Sequence, residues 1–594
     1  MTHFKDISCG ELRAADIDRT IRIAGWVDRR RDHGGVIFID LRDSKGIIQV
    51  VVGPENSAAY NIAQRVRAEW VLGLEGIVKS RTDETKNPDL PTGEIEFIPT
   101  HINVLNEAET PPFSLHEPGE VDESLRLQYR YLDLRRPDAM QVLRLRHAVV
   151  SYIRNFFSEK DFIEVETPTL IRSTPEGARD FLVPSRLQPG EFFALPQSPQ
   201  ILKELLMVAG AERYFQIARC YRDEDFRANR VAEHTQLDME MAFVDESDVM
   251  ALVEELYIEI ATRFGGGKKI SQVPFPRLDY ADCIEQYGTD RPDLRFGLEF
   301  SDVGMIFKGS EFKVFSSALE NNGQIKAICV EGQSGMARRA IDSLVEVARS
   351  AGAGGLVNIG FSETGEVRSP VARFLSDKEL TLLKEKTGAK DGDMLFLAAG
   401  SHEVVSETLA LVREELAVRL DLRDPEIFAF AWVTGFPLLE WKVEENRWDA
   451  THNPFSGFFE DEENSLEKDP SSVRARQYDL VLNGEEIGGG SIRINKRSDL
   501  LRVLKLMGHT ESEINKRFGV LLQALDYGAP PMGGVGAGID RLIMQLIGTS
   551  NIRDVIAFPK ASSGSDPLMD APSPVAAEQL KELGLQLDPE LGNN

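Results

Sequence analysis

The chain has 594 residues, of which 42% are hydrophobic and 28% charged, and a net charge of −28; this is the balance of a water-soluble protein too long for one core, so three or more domains are expected. No stretch approaches the ~18 uncharged apolar residues of a membrane span, and the start MTHFKDISCGEL lacks the layout of a secretion signal, so a cytoplasmic protein with no membrane partner is expected. The negative balance argues against nonspecific polyanion binding, which works through Lys and Arg, and Cys9, Cys220, Cys283 and Cys329 form no CxxC pair, so they read as reduced packing residues rather than a zinc site or disulfide framework.

In chain order, residues 20–105 come first, with the short alternating runs IRIAGWVDRR, GGVIFIDLRD and GIIQVVVG between Gly and Asp turns, the pattern of a small β-barrel. Ile37, Ile39 and Leu41 share one face, and Val36, Phe38 and Asp40 the other. With DSKG as the hairpin loop, Asp40 pairs with Gln49, so Phe38 and Gln49 emerge on the same outer face. An exposed aromatic beside a polar side chain and the run Arg29, Arg30, Arg31 suits single-stranded RNA, through stacking and backbone charge. A solvated charge run with one stray Phe is the alternative.

The Pro- and acid-rich segment within 106–130 reads as a linker. Beyond it, QVLRLRHAVVSYIRNFFSEKDF is a helix with an apolar stripe that runs into the strand FIEVETPTL, in a domain whose first part spans 131–288. Gly-rich turns and separate α/β patterning set off 289–420 as an inserted module. Strands resume at IFAFAWVTGFPLLEW in a second part, 421–561, and 562–594 reads as a loosely ordered acidic extension.

Three stretches carry candidate chemistry. In CYRDEDFRANR to TQLDMEM, Leu237, Met239 and Met241 face one side and Gln236, Asp238 and Glu240 the other. A sheet face lined with carboxylates and amides is costly unless it binds something; Arg222 lies on the preceding strand and Glu224 just past it. In YDLVLNGEEIGGGSIRI, Asn483-Gly484 is a hairpin signal that pairs Val481 with Glu486 and Asp479 with Gly488, making Asp479 and Glu486 diagonal neighbours that could hold Mg²⁺. A bulge at the glycines is needed to bring Arg493 to the face of Glu486, and the alternative is an exposed acidic hairpin. In GAGIDRLIMQLIG, the apolar stripe Ile539, Leu542, Ile543, Leu546 and Ile547 leaves Arg541 in the first turn, where the helix dipole disfavours a cation unless an anion joins it. Either a phosphate binds there or Arg541 pairs with Asp540. No GxxxxGK[ST] occurs, which excludes a P-loop ATPase.

Together these stretches resemble the class II aminoacyl-tRNA synthetases, in their bacterial aspartate-specific branch, with FIEVETPTL as motif 1, CYRDEDFRANR to TQLDMEM as motif 2 and GAGIDR as motif 3. LPQSPQILK and STPEGARDF are similar to aspartate-specific elements. The resemblance implies a multidomain α+β protein, with an N-terminal OB-fold barrel, an antiparallel catalytic sheet flanked by helices, and an inserted α/β domain. It implies a homodimer that joins L-aspartate to tRNA(Asp) using ATP and Mg²⁺. Arg222 and Arg541 would act on the phosphates, with Asp223, Glu224, Val231, Glu486, Gly538, Ile539 and Asp540 also at ATP, and Asp479 with Glu486 on the metal. Lys203 and Arg493 would meet the aspartate side chain, with Gln200, Asp238, His452 and Glu176, on a lid, around its ammonium. Arg31, Phe38 and Gln49 would read the anticodon. His33 resembles the relaxed enzymes that also charge tRNA(Asn), while Glu84 matches neither the relaxed nor the strict type; dual specificity is expected, with a strict enzyme, an asparaginyl-tRNA synthetase or a noncatalytic RNA-binding paralogue as rivals.

Overall fold

The computed structural model describes residues 3–115, 121–173, 178–224 and 229–588, in two compact units, Met1–Val121 and Asp122–Asn594. The first unit holds a closed barrel of five strands, in the order Thr20–His33, Val36–Asp43, Gly46–Val52, Ile95–Asn106 and Val71–Ser80. Period-2 alternation builds it: Ile37, Ile39, Leu41, Ile48, Val50 and Val52 are buried in its centre, each contributing about 1.5–3 kcal/mol relative to exposure. Asp40 pairs with Gln49 as the hairpin register requires. A bulge between Val27 and Arg29 breaks the alternation and turns Asp28 inward, where it meets buried Arg42 at 2.6 Å.

The second unit is organised by an eight-stranded sheet, in the order Arg277–Asp279, Phe430–Thr434, Gln477–Leu482, Glu485–Ile492, Met532–Gly538, Glu233–Ala242, Arg213–Tyr221 and Ile163–Glu164. The six central strands are antiparallel, and each edge strand joins in parallel. Leu237, Met239 and Met241 sit in the core with Val149, Ile153, Phe156 and Phe157 of the helix Pro137–Glu159 and Val253 and Leu256 of the helix Glu246–Phe264. The opposite face of the strand is left to Gln236, Asp238 and Glu240. Of the expected strand FIEVETPTL only Ile163–Glu164 joins the sheet; Pro168 lies beyond it and has no N–H to continue a ladder.

Within the same unit, residues 300–400 build a second, five-stranded sheet that is antiparallel throughout. Its strand Met394–Gly400 is apolar on both faces. Phe396 and Ala398 pack with the helices Arg338–Ser350 and His402–Arg419, and Leu395 and Leu397 with Lys313–Glu320 and Asp377–Thr387. The expected linker and tail are more structured than their composition suggests. Asp122 caps a helix over Glu123–Gln128. In the tail, Lys560 meets Asp566 at 3.1 Å, Asp566 and Ala571 exchange backbone hydrogen bonds, and Ala577–Glu582 is helical. No described helix is long and apolar enough to cross a membrane.

Candidate active site

The polar face of the strand Glu233–Ala242 is the floor of the site, and the helix Gln200–Val208 forms one wall. Lys203 on that helix and Arg493, just past the strand Glu485–Ile492, come from distant parts of the chain and meet at Glu240. The Lys203 ammonium lies 3.2 Å from Glu240 Oε2 and 3.0 Å from Asp238 Oδ2. Arg493 donates to both oxygens of Glu240, Nε at 2.9 Å and Nη2 at 3.1 Å, and to Ser491 Oγ at 2.8 Å. All four charged groups are buried. Burial pulls the Arg493 guanidinium down, but Glu240 outweighs it and holds the group above its usual range. Burial pushes the Asp238 carboxyl up, against the pull of Lys203; Asp238 Oδ1 accepts no hydrogen bond among the described residues. Gln200 donates to Glu204 at 2.6 Å.

The neighbouring hairpin supplies two more carboxylates. Asn483 and Gly484 both take positive φ, 52° and 84°, as a type I′ turn requires, and Val481 pairs with Glu486. The register then shifts, with Leu480 opposite Gly488, so Ile487 is the extra residue. Asp479 therefore faces Gly489 rather than the expected Gly488. The bulge brings Glu486 and Arg493 to one face, and it folds the two carboxylates over a glycine. A Cβ on Gly489 would lie 2.6 Å from Asp479 Oδ1 and 3.4 Å from Glu486 Oε1. Burial, and then the nearby Glu486, raise the Asp479 carboxyl well above its ordinary value. Gln477 donates to Asp479 at 3.2 Å, and His452 Nε2 stands 3.7 Å away, its basicity lowered by burial. No group of three or more metal-ligating side chains occurs among the described residues. Two hard oxygens without a cage suit Mg²⁺, which keeps waters and substrate phosphates as its other ligands.

Arg541 does not pair with Asp540. Its Nη1 donates to the backbone carbonyl of Glu486 at 2.7 Å, while buried Asp540 accepts from Arg146 Nη1 at 2.5 Å and from the backbone N–H of Thr235 at 2.8 Å. The helix Ile539–Ile547 buries Ile539, Leu542, Ile543 and Leu546, but Ile547 is exposed.

Two adjoining cavities open over this floor. One, of about 170 Å³, is lined by Arg222, Glu224, Val231, His234, Gly538, Asp540 and Arg541. The other, of about 270 Å³, is lined by Gln200, Lys203, Asp238, His452, Asp479 and Arg493. Arg222, Gln236, Glu486 and Gly536 line both. Asp223 and Ile539 line neither: the first exchanges a backbone bridge with Arg179, and the second is in the core. Glu176 lies outside the described residues, as does half of its segment STPEGARD.

On the barrel, the Arg31 guanidinium donates to both oxygens of Asp40, at 2.9 and 2.8 Å. Phe38 is half-buried and meets His33 edge-on at 6.0 Å; Gln49 is half-buried and Glu84 exposed. His33 leads into a tight turn through Gly34 and Gly35, at φ 63° and 87°.

The structure also assembles residues that sequence reasoning did not assign. Glu240 was visible on the polar face but had no role until Lys203 and Arg493 converged on it. Glu204 follows Gln200 by one helical turn, which puts both on one face. His234 shares the parity of Gln236 and Asp238; burial, with Arg222, Arg541 and Arg219 nearby, lowers its pKa to about 3.

The profile of the class II tRNA synthetases (D, K and N) matches residues 122–562, and that of the OB-fold nucleic acid binding domain matches 21–105. The chain is 49% identical to the aspartate–tRNA(Asp/Asn) ligase of Rubrobacter xylanophilus, over 98% of this chain and 97% of the relative. It is also 49% identical to the enzyme of the same name from Syntrophomonas wolfei, over 97% and 98%. In fold it is similar to the asparaginyl-tRNA synthetase of Pyrococcus horikoshii complexed with asparaginyl-adenylate, with a TM-score of 0.59 at 19% identity over 93% of this chain and 97% of that one. The aspartyl-tRNA synthetase of Entamoeba histolytica gives 0.56 at 19%, over 92% and 90%.

Proposed function

The chain belongs to the class II tRNA synthetases (D, K and N), and from that premise we propose that it is an aspartate–tRNA ligase that charges both tRNA(Asp) and tRNA(Asn). The observation that carries the choice of amino acid is the convergence of Lys203 and Arg493 in one cavity. Aspartate's side-chain carboxylate matches this pair, whereas asparagine's neutral amide leaves positive charge unmatched, a difference of about 2–5 kcal/mol. Asp238 with its open oxygen, Gln200 and His452 would surround the ammonium, joined by Glu176. The relatives named for both tRNAs and the His33 turn support the dual specificity.

The shared wall of the two cavities sets the reaction geometry. ATP would occupy the smaller cavity, with Glu224 and Val231 toward the base, Arg541 toward the γ-phosphate, and Arg222, which lines both, between the α-phosphate and the amino acid. Aspartate's α-carboxylate oxygen attacks the α-phosphorus in line, the bond to the bridging oxygen breaks, and pyrophosphate leaves; Arg222 and Arg541 neutralise the charge that grows on the phosphates. Asp479 and Glu486 would hold Mg²⁺, which supplies further neutralisation when bound. The 3′-hydroxyl of the terminal tRNA adenosine then attacks the acyl carbon and AMP departs. Arg31, Phe38 and Gln49 would grip the anticodon by charge and stacking. We place the enzyme in the cytoplasm, in keeping with cysteines that form no disulfide among the described residues, and as a homodimer through the helix Pro137–Glu159 and the exposed Ile163 beside it.

Charging purified tRNA(Asp) and tRNA(Asn) transcripts, after ATP–pyrophosphate exchange with aspartate and with asparagine, tests this reading. Exchange with aspartate alone and charging of both tRNAs are expected. Exchange with asparagine instead would overturn the activity, and failure with tRNA(Asn) alone would leave a strict enzyme.

A further inference from the structure

We propose that Glu204 is a positioning residue of the aspartate pocket that works as a neutral acid, steadying Gln200 while leaving Lys203 and Arg493 to the substrate's side-chain carboxylate. This rests on the aspartate reading above. Glu204 is fully buried. Its Oε1 accepts from Gln200 at 2.6 Å, and its Oε2 has no hydrogen-bond partner among the described residues. A buried carboxylate with one bare oxygen is far more costly than the corresponding acid.

The charges facing Glu204 favour the neutral acid once aspartate is present. Arg493, Glu240 and Lys203 act on it directly; Asp238 belongs to the same cluster through Lys203, and the Tyr214 hydroxyl, held neutral by burial, faces Asp238 and Glu240. The helix Glu511–Leu525, packed on Gln200–Val208, keeps Glu511, Glu513, Lys516 and Arg517 on its exposed side. In the occupied pocket, Lys203, Arg493 and the substrate ammonium balance Asp238, Glu240 and the substrate side-chain carboxylate, while Arg222 answers the α-carboxylate. An ionised Glu204 would add an unmatched negative charge. Burial above all raises its pKa to about 8, with Glu240 adding to the rise and Arg493 opposing it. The pocket therefore holds its proton at neutral pH and loses it in mild alkali.

The test is the pH dependence of aspartate-dependent ATP–pyrophosphate exchange by the full-length wild type and by Glu204→Gln. In the wild type, KM for aspartate should climb about tenfold per pH unit above about 8, the slope of one proton, while kcat and KM for ATP do not follow. In Glu204→Gln, whose amide keeps the site neutral, that climb should vanish. A flat wild-type KM, or the same climb in the variant, overturns the proposal. If the variant does not fold, calorimetric titration of the wild type with aspartate above that pH, in buffers of different ionisation enthalpy, decides: uptake of one proton supports the proposal and no uptake overturns it. Absence of any aspartate-dependent exchange in the wild type at every pH would instead overturn the assignment of the amino acid on which this rests.

Discussion

The molecule uses the same chemical pair, an arginine held by both oxygens of a carboxylate, in two opposite environments. Arg493 and Glu240 are sealed beneath the larger of the two cavities, with side chains 2% and 0% exposed. Arg31 and Asp40 lie on the outer face of the barrel, 47% and 15% exposed. Coulomb attraction is weak and screened at the surface, where such a pair contributes about 0–1 kcal/mol and can exchange its partner for a ligand. In the interior, removing one member strands the other, at about 3–5 kcal/mol. The cavity thus fixes geometry before the substrate arrives, whereas the barrel face offers groups that can rearrange around a base or a phosphate.

The sharpest way to break this contrast is Arg493→Gln. Leaving buried Glu240 with Lys203 but without its two-point guanidinium partner should lower stability by up to about 3–5 kcal/mol, and the lost cation facing the substrate carboxylate, worth about 2–5 kcal/mol, should reduce kcat/KM for aspartate by about 30- to 5,000-fold. Thermal melts and exchange kinetics read the two effects, and a variant as stable as the wild type would remove the argument from burial. Gly489→Ala should be milder. Its Cβ would meet Asp479 Oδ1 at 2.6 Å, displacing the paired carboxylates and, if they hold Mg²⁺ as proposed, cutting kcat by about 10- to 100-fold, the usual effect of disturbing the support of a metal site. Titration with Mg²⁺ should show a raised requirement. Smallest is Phe38→Ala on the barrel, which should raise KM for tRNA in aminoacylation by an amount equivalent to about 1–3 kcal/mol, one lost base stack, while amino acid activation and the melting temperature stay put. If that substitution disturbed activation, the barrel face would not be the separate binding surface described.

Much of this was legible in the residues. Alternation in VIFIDLRD and GIIQVVVG settles which face of the barrel is filled, because period 2 leaves no choice once one face is apolar. Asn483-Gly484 fixes a hairpin, and the need for Arg493 to join Glu486 calls for a bulge. The position of that bulge, at Ile487, was not legible, since three glycines in a row leave the backbone several equal options. Nor could the sequence show that Asp540 is anchored by Arg146, a residue 394 positions away, or that Glu240 ties Lys203 to Arg493. Contacts of that range depend on sheet order, which no local signal encodes. The expected tail and linker were read from composition alone, which gives no sign of the capped helix Glu123–Gln128, the Asp566–Ala571 bridge or the helix Ala577–Glu582.

One edge strand of the catalytic sheet and its neighbour bracket the second, five-stranded sheet in the chain, and that arrangement carries a further consequence. Arg277–Asp279 and Phe430–Thr434 run side by side and parallel, although the whole of that second sheet lies between them in the chain. The excursion leaves the catalytic framework and returns at the same border. Closing such a detour becomes only slightly harder as it lengthens, because the entropy of joining its ends grows with the logarithm of its length. The catalytic architecture is accordingly almost indifferent to how much polypeptide is threaded through that gap, so size changes at this point leave the register of the reacting groups intact.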